Sequence, residues 1–326
     1  MKIPYPDIEP YSTHKIAVGQ SHVLNVEECG NPEGIPVLFL HGGPGSHYKP
    51  HHRSLFNPSI YRIVLFDQRG AGHSTPSGNL QNNTTVDLVA DIETIRKQLK
   101  IPKWVIFGSS WGTTLGLVYA QQYSEYVLAL ILRGTFLART RDINWGYVEG
   151  GVSRIFPQQW QAFTDFLPKN ADTPLANYYD CLTGKDTALS RTAAIAWAAW
   201  NGYVVSYGEF TDPIEFSEEL LNAVRIECHY MFNRCFLEEN QLLQNINKLA
   251  NIPAIIIHGQ RDLVCPLENS YLLKQNWSMA QLKIVPTGGH LASDPETIST
   301  IVEATDEIFR VIDFFYNLDG KFERKR

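Results

Sequence analysis

Positive charge is scarce in this 326-residue chain: 28 Lys and Arg stand against 34 Asp and Glu, a formal net charge of −6. Neutralising phosphates needs Lys and Arg clustered on one face, so no nucleic-acid partner is expected. The one basic cluster, Lys321, Arg324, Lys325 and Arg326, ends the chain and reads as a solvated tail. Long hydrophobic runs are also missing. No stretch approaches the roughly 18 apolar residues of a spanning helix, and Met1 to Asp7 hold no apolar core of signal-peptide length. The expectation is a cytoplasmic protein that makes no membrane contact. Cysteine is sparse as well. Cys29, Cys181, Cys228, Cys235 and Cys265 are odd in number and lack C-x-x-C spacing, in a chain long enough to need no staples. Free thiols are expected, with neither a disulfide framework nor a metal site. Repeats and low-complexity tracts are absent, and with 44% hydrophobic and 19% charged residues the composition excludes disorder and fibrous architectures.

What is present is a series of short apolar runs bounded by turn residues: Val37 to Leu40, Ile63 to Phe66, Val105 to Phe107, Ala129 to Leu132, Ala254 to His258 and Leu282 to Val285. Runs of this length without polar alternation suit strands buried on both faces, as in a parallel sheet covered by helices. Between them, Val86 to Leu99 places Leu88, Ile92, Ile95 and Leu99 on one stripe, with Asp87 and Asp91 early and Arg96 and Lys97 late, as the helix dipole prefers. Strand, helix, strand is the pattern of an α/β sheet. Lys15 to Val18 and His22 to Val26 alternate and predict an antiparallel hairpin at the sheet edge. Thr135 to Leu249 breaks the rhythm: rich in Trp, Tyr and Phe, it reads as a mainly helical insertion, with Tyr203 to Ser206 as its one strand candidate. The expected division is residues 1–134 and 250–326 as two parts of one core, and 135–249 as an inserted helical cap.

The strongest local signal is Gly108-Ser109-Ser110-Trp111-Gly112, after the run Lys103 to Phe107 and before the apolar helix Thr113 to Tyr123. In that context G-x-S-x-G makes a sharp strand-to-helix turn that lifts a serine into an exposed, strained position. Ser110 is the candidate nucleophile. A hydroxyl attacks poorly unaided, so it needs a base and a group to orient that base, in the chain order Ser, Asp, His. Asp262 follows the run Ala254 to His258, and His290, in Gly288-Gly289-His290, follows Leu282 to Val285. Singly, Asp262 also reads as a turn residue and His290 as a loop histidine; their order and positions after successive strands make them the expected partners. The oxyanion formed in acyl transfer needs donors. These are assigned to the backbone N–H groups of Gly43, in Leu40-His41-Gly42-Gly43-Pro44-Gly45, and of Trp111, with His41 a structural hydrogen-bonder.

Together with Tyr5-Pro6, Gly30-Asn31-Pro32, Asp67-Gln68-Arg69-Gly70-Ala71-Gly72-His73-Ser74, Leu132-Arg133-Gly134 and Cys265-Pro266, these segments resemble the α/β-hydrolase fold and, more narrowly, the prolyl aminopeptidase (proline iminopeptidase) family of serine peptidases. The resemblance covers nearly the whole chain. It implies a mostly parallel central sheet flanked by helices, a cap closing over the site, no cofactor, and short peptides with a free N-terminus as partners. A homo-oligomer is left open. Removing an N-terminal proline needs a carboxylate for the cationic imino nitrogen and an apolar pocket for the ring. Glu227, in Arg225-Ile226-Glu227-Cys228-His229-Tyr230, matches the family's I-E-N-H-Y segment, which implies an amine-binding carboxylate; an ion pair with Arg225 or Arg234 is the alternative. The resemblance also implies that Phe136 walls the proline pocket, against a core-aromatic reading, and that Cys265 places a thiol near it, against a buried inert cysteine.

Three positions depart from the family pattern. Trp197-Ala198-Ala199-Trp200 is followed by Asn201 where the family commonly has Glu, so a second amine-binding carboxylate is missing and Asn201 offers one hydrogen-bond acceptor without charge. Met231 stands where an aromatic is usual after I-E-N-H-Y, and Gly146 where one is usual after Trp145. A flexible Met and a vacated side chain make the expected pocket looser. Rival readings are a broader aminopeptidase, an esterase or amidase acting on small acyl compounds, and a non-catalytic binding protein on the same scaffold.

Overall fold

The computed structural model describes every residue except 20, 169–171, 211, 318–322 and 325–326. Eight strands form one sheet in the order β1-β2-β4-β3-β5-β6-β7-β8. They are β1 (Ser12–Val18), β2 (His22–Gly30), β3 (Ile35–Leu40), β4 (Tyr61–Phe66), β5 (Trp104–Ser109), β6 (Val127–Arg133), β7 (Ala254–Gly259) and β8 (Ala280–Val285). β1 and β2 pair antiparallel, as the alternating runs predict, and β2 meets β4 antiparallel. From β4 to β8 every pairing is parallel.

β3, β5, β6 and β7 read as continuous apolar runs because both faces are covered. Side chains alternate between two cores: Leu38, Leu40, Ile106 and Leu130 enter one, and Val37, Phe39, Phe107 and Ile131 the other. On the first face lie α1 (Thr85–Gln98) and α2 (Trp111–Gln122), supplying Leu88, Ile92, Ile95 and Leu115; on the second, the helix Pro295–Phe315 supplies Ile301, Ile308 and Ile312. α1 starts at a capping box in which Thr84 Oγ1 accepts from the Asp87 amide and the Asp87 carboxylate accepts from the Thr84 amide at 3.1 Å.

Between β6 and β7 the described elements are helical, including α3 (Thr140–Tyr147), α4 (Pro157–Thr164), α5 (Pro174–Thr183), α6 (Thr187–Val205) and α7 (Glu218–Phe232). The strand expected at Tyr203 to Ser206 is instead the last turn of α6. Asp186 caps that helix, accepting from the amides of Ala188 and Leu189 at 3.0 Å. Once nucleated, the Ala-rich helix propagates at little cost through Tyr203 and two valines. Trp197, Trp200 and Val204 then fall on one buried stripe, which overrides their local strand preference. Among the described residues no helix is long and apolar enough to cross a membrane. The five cysteines are unpaired and buried. Of the basic tail, Lys321, Lys325 and Arg326 lie outside the described residues, as does the side chain of Arg324.

Candidate active site

β3, β5, β7 and β8 deliver their C-terminal ends to one edge of the sheet, where the order reverses around β3 and open α/β sheets form their crevice. Ser110 sits between β5 and α2 with φ 55° and ψ −122°, a conformation that L side chains rarely adopt. The turn is tight because α2 presses on β3: a Cβ at Gly112 would lie 2.1 Å from the Leu40 carbonyl oxygen, so only glycine fits.

The structure brings Ser110, His290 and Asp262 together from positions up to 180 residues apart. Ser110 Oγ lies 3.0 Å from His290 Nε2, and His290 Nδ1 lies 2.8 Å from Asp262 Oδ2. Asp262 Oδ1 accepts from the amides of Val264 and Cys265 at 2.9 and 2.8 Å. Burial alone would raise the Asp262 carboxyl, but the charge and hydrogen bond of His290, then His258 and the Cys265 amide, hold it below its usual range. It is therefore the anion that fixes the imidazole tautomer with Nδ1 protonated, leaving Nε2 free to accept from Ser110. His258, which the sequence did not single out, braces this loop. It is fully buried, reaches the Cys265 carbonyl at 2.8 Å and Ser270 Oγ at 2.6 Å, and is kept neutral by burial.

The two candidate oxyanion donors are the backbone amides of Trp111, next to Ser110 in the chain, and of Gly43, which lines the same cavity as Ser110. Trp111 opens α2, so its N–H has no carbonyl one turn back to bond. Gly43 has φ +109°, and a Cβ there would lie 2.7 Å from the Ser46 amide. The D-Q-R-G segment fixes both. Gln68 donates its amide to His41 Nε2 and its side-chain NH₂ to the His41 carbonyl, each at 3.0 Å, and accepts from Trp111 Nε1 at 2.9 Å. His41 is thus the structural hydrogen-bonder expected. Arg69 in turn makes a bidentate pair with Asp91, both contacts 2.7 Å.

A cavity of about 160 Å³ beside Ser110 and His290 is lined by Phe136, Gly146, Tyr147, Asn201, Glu227, Met231 and Cys265 among others. Phe136 is held by α2, its amide donating to Thr113 Oγ1 at 3.0 Å and its carbonyl accepting from Thr114 Oγ1 at 2.7 Å. Met231 follows Glu227 by one turn of α7 and so shares its face. A Cβ at Gly146 would meet nothing within 4 Å, so the wall is open there. The Cys265 thiol is 2% exposed, and burial pushes it well above its ordinary range, so it is protonated and a poor nucleophile.

Glu227 makes neither of the ion pairs the sequence left open; Arg225 Nε instead donates to the Leu182 carbonyl at 2.9 Å. Its carboxylate accepts from Trp197 Nε1 at 2.9 Å, from Tyr147 OH at 3.0 Å, and from Asn201 Nδ2 at 2.9 and 3.0 Å. Burial pushes the Glu227 carboxyl up to about 7, and these three neutral donors bring it only part of the way back. Asn201 differs here from its expected role: its amide donates to Glu227, and its oxygen lies 3.3 Å from the Tyr147 hydroxyl. A neutral donor replaces a second carboxylate, so one anion remains with no cation paired to it among the described residues. Tyr147 and Trp197, stacked with centroids 4.5 Å apart, are site residues that sequence reasoning missed as ligands of Glu227. The i, i+4 spacing of Trp197 and Asn201 on one helix was the available signal. Of the other cap carboxylates, Glu149, Glu209 and Glu215 are exposed and do not line this cavity, though Glu215 lines a neighbouring one that also includes Glu227 and Asn201.

The model of the α/β-hydrolase fold family matches residues 35–297. A proline iminopeptidase of Xylella fastidiosa is 45% identical over 311 residues, covering 94% of this chain and 99% of its own. One from Arabidopsis thaliana is 42% identical, covering 93% of this chain and 81% of its own, and a probable proline iminopeptidase of Leptolyngbya boryana is 43% identical, covering 93% and 95%. Among solved structures, MGS-M2, an α/β hydrolase enzyme from a Medee basin deep-sea metagenome library, superposes with a TM-score of 0.64 at 17% identity, covering 92% of this chain and 97% of its own, a likeness of fold alone. With relatives this similar over almost their full length, the chain belongs to the proline iminopeptidase family of α/β hydrolases.

Proposed function

We propose that this protein is a serine exopeptidase that releases an N-terminal residue, preferably proline, from short peptides through an acyl-enzyme. The observation that carries the reading is the Glu227 carboxylate, unpaired with any cation and lining the same cavity as Ser110 and His290. A carboxylate in that position selects a substrate whose amine sits one residue from the scissile carbonyl, and an internal peptide bond, which has no such amine, leaves that carboxylate without a partner. In this mechanism His290 Nε2 takes the Ser110 proton as Oγ attacks the carbonyl carbon, and Asp262 stabilises the imidazolium. The Gly43 and Trp111 amides receive the oxyanion, His290 returns the proton to the leaving nitrogen, and water cleaves the acyl-enzyme by the same route. Phe136, Met231 and Cys265 shape the pocket around the ring. We also infer a cytoplasmic location, which the five unpaired cysteines support.

The test is kcat/KM for prolyl, alanyl and N-acetylprolyl anilides. Prolyl is expected to lead alanyl by about 100-fold, roughly 2.7 kcal/mol of transition-state discrimination, with the acetylated compound inert. Equal rates for prolyl and alanyl would mean that Gly146 and Met231 have opened the pocket to a broader aminopeptidase. Cleavage of the acetylated compound would hand the site to the esterase or amidase reading. Within the triad, Asp262→Asn is expected to lower kcat by about 10⁴-fold, because the amide favours the wrong imidazole tautomer; single-turnover rates measure it.

A further inference from the structure

A second, larger cavity of about 700 Å³ shares Ser110, His290 and Gly43 with the Glu227 cavity and none of its other lining residues. A peptide with its amine at Glu227 and its scissile carbonyl at Ser110 must send its leaving nitrogen past His290, hence into this space. The lining is rich in donors. Arg133, at the end of β6 in register with Ser109, is 7% exposed; its Nη1 donates to the His290 carbonyl, while its Nε is buried with no acceptor. Among the described residues no carboxylate lies within 4.0 Å of this guanidinium. The charge it feels most is that of Asp262, whose oxygens are committed to His290 and two amides. A buried guanidinium that lines an open cavity and has no carboxylate partner is a site for an anion.

His52 supplies a second donor. It stacks on Phe39 with centroids 4.5 Å apart, and its Nδ1 accepts from the Lys49 amide at 3.0 Å, so the proton is on Nε2. Burial holds its ring neutral, at about 3, so it serves as a hydrogen-bond donor at any working pH. The lone carboxylate in the lining, Asp7, already accepts from Ser54 Oγ at 2.9 Å. The N-terminal segment that carries Asp7 walls off the far side, pinned by the Tyr5 amide on the Ser54 carbonyl at 2.8 Å and the Tyr5 hydroxyl on Asp306 at 2.6 Å. The carboxylates of a dipeptide and a tripeptide fall about 3.5 and 7 Å beyond the scissile bond, inside the cavity that Ser110, Arg133 and His52 line together.

We propose that this cavity is the leaving-group site and that Arg133, with His52, reads the free α-carboxylate of a di- or tripeptide, favouring short peptides over the N-termini of long chains. The inference rests on the aminopeptidase reading above. It is tested with prolyl-alanine against prolyl-alanine amide, which keep the same amine and scissile bond and differ in the carboxylate alone. Wild-type protein is expected to favour the acid at least tenfold in kcat/KM. Arg133→Met and His52→Phe, the latter keeping the stack on Phe39, should each bring the acid-to-amide ratio towards one by raising KM for the acid. A structural role for Arg133 would depress both substrates and leave the ratio unchanged, which would overturn the assignment. A wild-type ratio of one overturns it without any variant, with the aminopeptidase still standing. If the acid, the amide and the prolyl anilide are all inert, the aminopeptidase reading fails and the inference fails with it.

Discussion

Replacing Ser110 by alanine is expected to lower kcat on a prolyl anilide by about 10⁶-fold, the loss typical when a triad nucleophile is removed from a serine hydrolase. The geometry sets that expectation. Ser110 Oγ is the one hydroxyl 3.0 Å from His290 Nε2, and the other ring nitrogen is committed to Asp262. A residual rate would come from binding and the oxyanion donors alone. Ser110→Gly makes the companion case. The serine holds φ 55° and ψ −122°, a conformation that costs a non-glycine residue about 1–3 kcal/mol and that glycine adopts freely. The glycine variant is therefore expected to melt at or above the wild-type temperature in calorimetry while being equally inactive. Alanine, which keeps the Cβ, gains nothing. Wild-type turnover by the purified alanine variant would sink the serine mechanism outright.

How much of this was legible in the sequence follows from where each constraint lies. The parallel strands were readable because burial on both faces leaves uninterrupted apolar runs, and the observed strands extend the sequence-predicted ones by a residue or two at either end. Ser110, Asp262 and His290 were readable because each follows such a run, and the ends of parallel strands are where this architecture assembles side chains. The surroundings of Glu227 were not. Its carboxylate is held by Tyr147, 80 residues away on α3, and by Trp197 and Asn201 on α6, so the cage exists only once three helices pack. Asn201 could be identified as a departure from the family pattern, but whether it faced substrate or Glu227 depends on a helix crossing that no local pattern encodes. Tyr203 to Ser206 failed for the same reason: three residues with strand preference are outweighed by the sixteen helical residues before them. Arg133 was noticed as part of a motif, yet its buried, unsatisfied Nε becomes visible only with the His290 loop folded over it.

Glu227→Gln separates recognition from chemistry. The variant keeps a side chain of the same shape among Trp197, Tyr147 and Asn201 but removes the charge that holds the substrate cation. Losing a desolvated charge pair costs about 2–5 kcal/mol, so kcat/KM for a prolyl anilide is expected to fall by about 30- to 5,000-fold. The preference over the N-acetylated compound should shrink with it. The pH dependence gives a second signature. Burial raises this carboxyl to about 7, so below that pH the free enzyme holds a neutral acid that cannot pair with an ammonium. Beyond the ionisation of the catalytic base that both proteins share, wild-type kcat/KM should gain a further rising limb through about pH 7 that the glutamine variant lacks, since kcat/KM reports ionisations of the free enzyme. Stability moves the opposite way. Between the ordinary glutamate value of 4.5 and about 7 the folded state holds a proton that the unfolded chain has released, so stability from this group is full below 4.5 and is lost as pH rises through 7. The gap amounts to roughly 3 kcal/mol. Calorimetry from pH 4.5 to 8 should therefore show wild type losing stability relative to Glu227→Gln, and a flat difference between them would place the carboxylate in a more polar setting than its cage of neutral donors provides.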